Sequence, residues 1–185
     1  MFTVLFACVP FAAAQTFERE ISASEKPRVR VVNRAGRVSV VAAPEQSSAV
    51  LLKATSMGRA LDEKDVGITT AASGTIEIQL ASSSAGRIDV EVRVPVRSRV
   101  EVTTEAGSID LIGNLEEAEA ATDTGTIRAD VPLDALSYKF FWSASRPRYF
   151  SERELPPVKE KAGGKFEIAG RFGEKDAKQE ERVKL

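Results

Sequence analysis

"TTEAGSID", residues 103–110, and "ATDTGTIRAD", residues 121–130, repeat nearly the same phrase 18 residues apart. At that offset Val100 falls over Ala118, Glu101 over Glu119, Val102 over Ala120 and Thr104 over Thr122. Glu105 then meets Asp123, Gly107 meets Gly125, and Ile109 meets Ile127. Apolar residues meet apolar ones, polar meet polar, and glycine meets glycine. Both copies alternate with a period of two, the mark of a strand with one buried face. The offset thus predicts Ile109 and Ile127 stacked inward on neighbouring strands.

The offset also decides an ambiguous stretch. Residues 115–121, Leu-Glu-Glu-Ala-Glu-Ala-Ala, are helical by propensity alone. Their partner in the repeat, Val-Glu-Val-Thr-Thr from Val100, is β-branched and reads as a strand. A repeated unit repeats its structure, so both are expected to be strands. The same glycine phrase recurs at Gly36, Gly74 and Gly86, with a weaker echo at Gly164, giving spacings of 38, 12, 21, 18 and 39 residues. A glycine ahead of a strand supplies a turn at low steric cost. Gaps of 18 to 21 suit one coil of a β-solenoid, and the gap of 12 suits a hairpin or a single arm. The expected fold is all-β: an irregular β-solenoid of short strands and glycine turns, with antiparallel hairpins on its N-terminal side. An antiparallel β-sandwich is the alternative.

Composition narrows the chemistry. The 185 residues are 43% hydrophobic and 29% charged, with a net charge of −1, so they describe a globular domain without a field favouring nucleic acid. Histidine is absent, which removes the commonest general base, the commonest metal ligand and every Ser-His or Cys-His nucleophile. No catalytic residue, metal site or cofactor is assigned.

The single cysteine, Cys8, sits in an apolar leader, residues 1–14, that ends in Ala12-Ala13-Ala14 before Gln15. The leader is shorter than the ~20 residues a membrane-spanning helix needs. Its small-x-small ending suits signal peptidase, although it has no basic residue. A lipoprotein reading, with Cys8 as the acylated residue, is the lesser alternative, because Phe6 is bulky where such signals prefer a small side chain. The expected organisation is a signal peptide at 1–14 and one β-repeat domain at 15–172. That domain ends in an aromatic cap, about 133–172, and a charged tail or linker follows at 173–185. The expected location is outside the cytoplasm: periplasm, cell surface or beyond, with no transmembrane span in the mature chain.

The run "RIDVEVRVPVRSRVEVTTEAGSIDLIGNLEEAEAATDTGTIRADVP", Arg87 to Pro132, resembles the candidate-adhesin β-strand-repeat family of unknown function from bacterial envelope and secreted proteins. The marks are the Val94-Pro95 turn after an alternating strand, then the paired Gly107 and Gly125 phrases. The resemblance implies a solenoid-like fold at the cell surface and carries over no catalytic residue. A fainter one, over "WSASRPRYFSERELPPVKEKAGGKFEIAGRFG" from Trp142, is to the N-terminal part of secreted bacterial proteins with a von Willebrand factor A domain. The metal motif of that domain is absent here.

Residues 138–150 hold six of the twelve aromatics, so this segment is the candidate for recognition. Trp142 and Tyr149 would stack on a sugar or partner, and Arg146 and Arg148 would bind acidic groups. The competing reading makes the same aromatics the cover over a solenoid's last coil. Arg93, Arg97 and Arg99 around Pro95 read as a solvated loop. The carboxylates at 62–65 have the wrong spacing for a calcium loop. Glu105 and Asp123, on adjacent coils, would lie near the ~5 Å separation of retaining glycosidase carboxylates, with Asp110 stacked on Arg128.

Three functions follow. The leading one is a non-catalytic secreted or surface β-repeat module, structural or adhesive, partnered by envelope polysaccharide or another surface protein. The others are a polysaccharide-processing β-solenoid enzyme using acidic residues, and a ligand-sensing envelope module using the 138–150 segment.

Overall fold

The computed structural model describes residues 15–56, 60–80 and 86–173, together with the backbone of 183–184. The leader at 1–14, and with it Cys8, lies outside the described residues, as does most of the charged tail. Among the described residues the regular structure is entirely β. In chain order the strands begin with β1 (Gln15–Ser22), β2 (Arg28–Ala35), β3 (Val38–Ala42), β4 (Ala49–Ser56) and β5 (Val66–Thr70). They continue with β6 (Ile76–Leu80), β7 (Ile88–Val94), β8 (Arg99–Ala106), β9 (Ile109–Ile112) and β10 (Glu117–Thr124). The last are β11 (Ile127–Asp130), β12 (Leu136–Trp142), β13 (Lys159–Lys161), β14 (Lys165–Arg171) and β15 (Val183–Lys184).

These strands form two open sheets. The narrow sheet has the order β1-β4-β7-β3-β9-β11, and the wide sheet has the order β13-β14-β12-β15-β10-β8-β2-β6-β5. Parallel pairing joins β6, β2, β8 and β10 in the wide sheet, and β7, β3, β9 and β11, the last at the sheet edge, in the narrow one. Antiparallel strands flank them, as in β1 on β4, β4 on β7, and β5 on β6. Each strand of the wide sheet's parallel block therefore leads into one of the narrow sheet's, making four arms. Their stacking order, β6–β7, β2–β3, β8–β9, β10–β11, is not their chain order. The gap of 12 between Gly74 and Gly86 resolves as a single arm, because β6 and β7 lie in different sheets.

The offset of 18 read from the sequence is the observed register. Val100 pairs with Ala118, Thr104 with Thr122, and Ile109 with Ile127. The alanine-rich copy is strand β10, so pairing has overridden its helical propensity. Strand β2 joins the same columns: Val29 over Val100, Val31 over Val102, Asn33 over Thr104. Inward columns are β-branched and buried; Val29, Val31, Val38, Val40, Val102 and Ile109 have no exposed surface. One continuous core lies between the sheets.

What lets an arm cross from one sheet to the other is a row of stacked glycines. A Cβ on Gly107 would lie 1.9 Å from the carbonyl oxygen of Gly36, and one on Gly125 1.8 Å from that of Gly107. A Cβ on Gly36 would lie 2.0 Å from the carbonyl oxygen of Ile88. No side chain fits such a gap. Hydrogen bonds continue across the corner on both sides of the glycine: Gly36 N–H donates to Ala106 O at 3.0 Å and Val38 N–H to Ser108 O at 2.8 Å. The next arm repeats the pattern, Gly107 N–H to Thr124 O and Ile109 N–H to Thr126 O, each at 2.9 Å. Side chains brace the same carbonyls: Asn33 Nδ2 donates to Ile88 O at 2.8 Å, and Thr122 Oγ1 to Gly107 O at 3.3 Å.

The five glycine phrases are therefore not equivalent. Those at Gly36, Gly107 and Gly125 form the corners. Gly74 lies in the β5–β6 hairpin turn, closed by Ala71 N–H to Thr75 O at 2.9 Å. Gly86 falls two residues before the position that stacks on Gly36, since Val38 pairs with Val90.

The expectation of two inward isoleucines needs correction. Ile109 is fully buried, but Ile127 in the same column is 46% exposed. The narrow sheet ends at β11, so nothing covers the last member of the column on its outer side. Asp110 lies in register with Arg128, as the offset implies, yet it is Arg37 that pairs with it, at 2.6 Å; Arg128 turns to Asp130 at 3.4 Å. The arginines around Pro95 are also more engaged than a solvated loop implies. Arg93 pairs with Glu91 at 2.7 Å, and Arg99 Nε donates to Glu116 at 2.8 Å.

Substitution of the corner and column residues separates these roles. Gly107→Ala should cost at least about 3 kcal/mol, through backbone overlap with Gly36. Gly74→Ala, where a Cβ meets nothing within 4 Å, should cost only about 1–2 kcal/mol, from its positive φ. Ile109→Ala should cost about 2–5 kcal/mol and Ile127→Ala under about 1.5 kcal/mol, measured by denaturant unfolding. Equal costs at the two isoleucines would contradict the open end.

Candidate binding surface

The wide sheet reaches past the last arm. Beyond β10 come β15, β12, β14 and β13, whereas the narrow sheet ends, among the described residues, at β11, the strand that shares an arm with β10. The register carries the inner face onward: Glu117 pairs with Lys184, and Ser137 with Lys184, so Leu136 shares a face with Ala118. On this face β12 places Tyr138, Phe140 and Trp142 two residues apart, and β14 places Ile168 and Gly170 opposite the first two.

The result is a row of rings. Phe172 lies 5.2 Å from Tyr138, Tyr138 5.4 Å from Phe140, Phe140 6.3 Å from Trp142, and Trp142 6.4 Å from Tyr149, measured between ring centroids. Exposure rises along it. Tyr138 is 5% exposed, Phe140 and Trp142 are partly buried, and Tyr149 is 50% exposed. Tyr138 is seated over Gly170, where an added Cβ would come within 2.4 Å of the phenol oxygen. Burial raises the Tyr138 phenol pKa above its usual value, so it stays neutral. Leu136, Tyr138 and Ile168 form a second, small core, covered by Leu133, Leu155, Val158 and Phe172.

Strand β12 ends at Trp142, and the chain returns to it at Tyr149. The structure thus brings Trp142 and Tyr149 together. Their chain neighbours Phe141 and Phe150 are 52% and 91% exposed. Arg146 and Arg148 are exposed within the intervening loop, on either side of Pro147, and form no ion pair with a described residue. The rings are not coplanar: Trp142 and Tyr149 are tilted by 39°, and Phe140 and Trp142 by 55°. The aromatic unit extends the wide sheet sideways and leaves Ile127 half-exposed. What the sequence could not reveal is Phe141 and Phe150 as the most exposed rings, since that depends on where the loop turns back.

The outer face of this unit is charged around one exposed ring, Phe141, which lies in register with Glu167. Glu167 accepts from Lys161 at 3.2 Å and lies 3.7 Å from Lys139. Elsewhere, Glu105 pairs with Arg34 at 3.2 Å, beside a shallow hollow lined by Val32, Gln79 and Thr103. Among the described residues no three acidic, histidine or cysteine side chains gather as a metal site.

The Lys161 hydrogen bond, with the charges of Lys161, Lys139 and Lys159, holds the Glu167 carboxyl below its usual range. A depressed carboxylate contributes stability that is present above the unfolded value of about 4.3 and lost as pH falls through the folded one. The aromatic unit should therefore loosen in acid below about pH 4.3. Trp142, the chain's one tryptophan, reports this directly by its emission. Glu167→Gln should flatten that part of the pH profile; an unchanged profile would show the pair to be inert.

No family model matches the chain, and no curated protein matches it. Among solved structures it is similar to a candidate cell adhesion protein from Clostridium sporogenes, at 8% identity, with 93% of each chain covered and a TM-score of 0.56. It is less similar to a candidate adhesin from Bacteroides fragilis, at 10% identity over 68% of this chain and 65% of that one, with a TM-score of 0.37. A candidate adhesin from Parabacteroides distasonis aligns at 9% identity over 65% and 58%, with a TM-score of 0.34. The first of these is a likeness of fold.

Proposed function

We propose that this chain is a non-catalytic, exported β-repeat module that serves as an adhesive scaffold at the cell surface. In this reading its four arms are an irregular β-solenoid, and its partners are envelope polysaccharide or another surface protein. The observation that carries it is how the chemically capable residues of the stack are engaged in structure. Acidic side chains that could do acid–base work are tied across arms to arginines: Glu101 to Arg30 at 3.2 Å, Glu105 to Arg34 at 3.2 Å, and Asp110 to Arg37 at 2.6 Å. Glycines at the corners are consumed by backbone packing. A polysaccharide-processing reading needs Glu105 free beside Asp123, and Arg34 holds it. The fold likeness to a candidate cell adhesion protein points toward adhesion as well.

The full chain should sediment with bacterial envelope fractions, and the double variant Glu105→Gln, Asp123→Asn should bind as the parent does. Neither protein should release reducing sugar from envelope polysaccharide. Sugar release by the parent that the double variant loses would establish the enzyme instead.

A further inference from the structure

We propose that the 141–150 tip is a membrane-surface anchor, which inserts Tyr149 and Phe150 among lipid headgroups while Arg146 and Arg148 bind anionic phosphates. This goes beyond the adhesive reading, since it concerns what holds the module and not what the module holds. Three observations favour a lipid surface.

The first is the exposure of hydrocarbon. Phe150 keeps 91% of its surface in water, beside Tyr149 at 50%. A phenyl ring has no polar atom to offset that exposure, and it gains free energy in proportion to the area withdrawn from water. Sequence neighbours do not explain it: the small core of this unit is already filled by Tyr138, Leu136 and Ile168.

The second is charge. Arg146 and Arg148 alternate with Pro147 between the two ring-bearing ends of the loop, and neither has a carboxylate partner among the described residues. The loop's acidic side chains, Glu152 and Glu154, follow Phe150 and do not interleave with the rings. Aromatic rings combined with arginines that pair with no described residue suit the boundary between headgroup and acyl chain. The chain as a whole has charge −1, so the attraction is local to this tip.

The third is ring geometry. Trp142 and Tyr149 are inclined by 39°, and Phe140 and Trp142 by 55°, so these rings share no single plane on which a flat ligand could lie. Separate insertion of rings into a fluid interface needs no common plane. The apolar hydrocarbon of Phe150 also offers nothing to hydrogen-bond a hydroxyl-rich ligand.

The test uses the full chain and sucrose-loaded vesicles of phosphatidylethanolamine with phosphatidylglycerol, against vesicles of phosphatidylcholine alone. Binding to the anionic vesicles should be stronger and should fall with added salt. Trp142 adjoins the tip, so its emission should shift to shorter wavelength and become quenchable by brominated lipid. Removing either arginine, as Arg146→Gln or Arg148→Gln, should weaken binding about fivefold, and removing both about thirtyfold. Phe150→Ser should weaken it about tenfold; this ring is 91% exposed, so the fold should survive, and the unfolding midpoint checks that it does. The proposal is overturned if anionic vesicles are not bound. Binding that Phe150→Ser and the arginine variants leave unchanged, with no shift at Trp142, also overturns it and places attachment elsewhere in the chain. Loss of binding to insoluble polysaccharide in Phe150→Ser, with vesicle binding unaffected, would make the tip a glycan site.

Discussion

Everything in this molecule depends on a backbone-to-backbone contact at one corner. Where Gly36, Gly107 and Gly125 stack, a carbonyl oxygen occupies the space a Cβ would take on the next arm. That closeness lets the parallel hydrogen-bond ladder pass from the wide sheet to the narrow one without interruption. It also locks the columns on both sides of the corner. A slip of one residue would move Val29, Val100 and Ala118 to solvent together. The two sheets are thus held in a common register by a feature with no side chain at all.

A second constraint is the unequal width of the sheets. Facing each other, they bury one core as far as β10 and β11. Past that point the wide sheet continues alone, and its inner face must find cover within its own chain. On β12 the inward rings Tyr138, Phe140 and Trp142 pack with Leu133, Leu155, Val158 and Phe172. The cover is incomplete toward the end of β12, where exposure rises from Tyr138 to Tyr149 and Phe150. The site proposed for attachment is the place where the architecture runs out of a second layer.

Charge is arranged with similar economy. The outer surface of the stack carries acid–base pairs across neighbouring arms, such as Arg30 with Glu101 and Arg34 with Glu105. Exposed pairs of this kind are worth about 0.2–1 kcal/mol each, so their value is in matching one arm to the next more than in stability. Arg146 and Arg148 stand outside that scheme. The stack pairs its outer charges between arms, and its 141–150 tip combines exposed rings with two arginines.

How much of this was legible beforehand depends on which distances are local. The alternation in residues 100–110 and its copy 18 residues later determined strand identity, parallel register and the glycine equivalence, because identical units stack with identical residues in contact. It even settled β10 against its helical propensity. The sequence could not order the arms, since β2–β3 enters the stack between segments far from it in the chain. Nor could it distinguish Gly86 from Gly107, whose phrases match while their partners differ by two positions. Ile109 and Ile127 look alike in sequence; only the end of the narrow sheet makes one core and the other surface. The candidate residues Trp142, Tyr149, Arg146 and Arg148 were visible as a cluster of types, but Phe141 and Phe150 were not set apart. Exposure is a property of what lies opposite a residue, and periodicity records only which way that residue points.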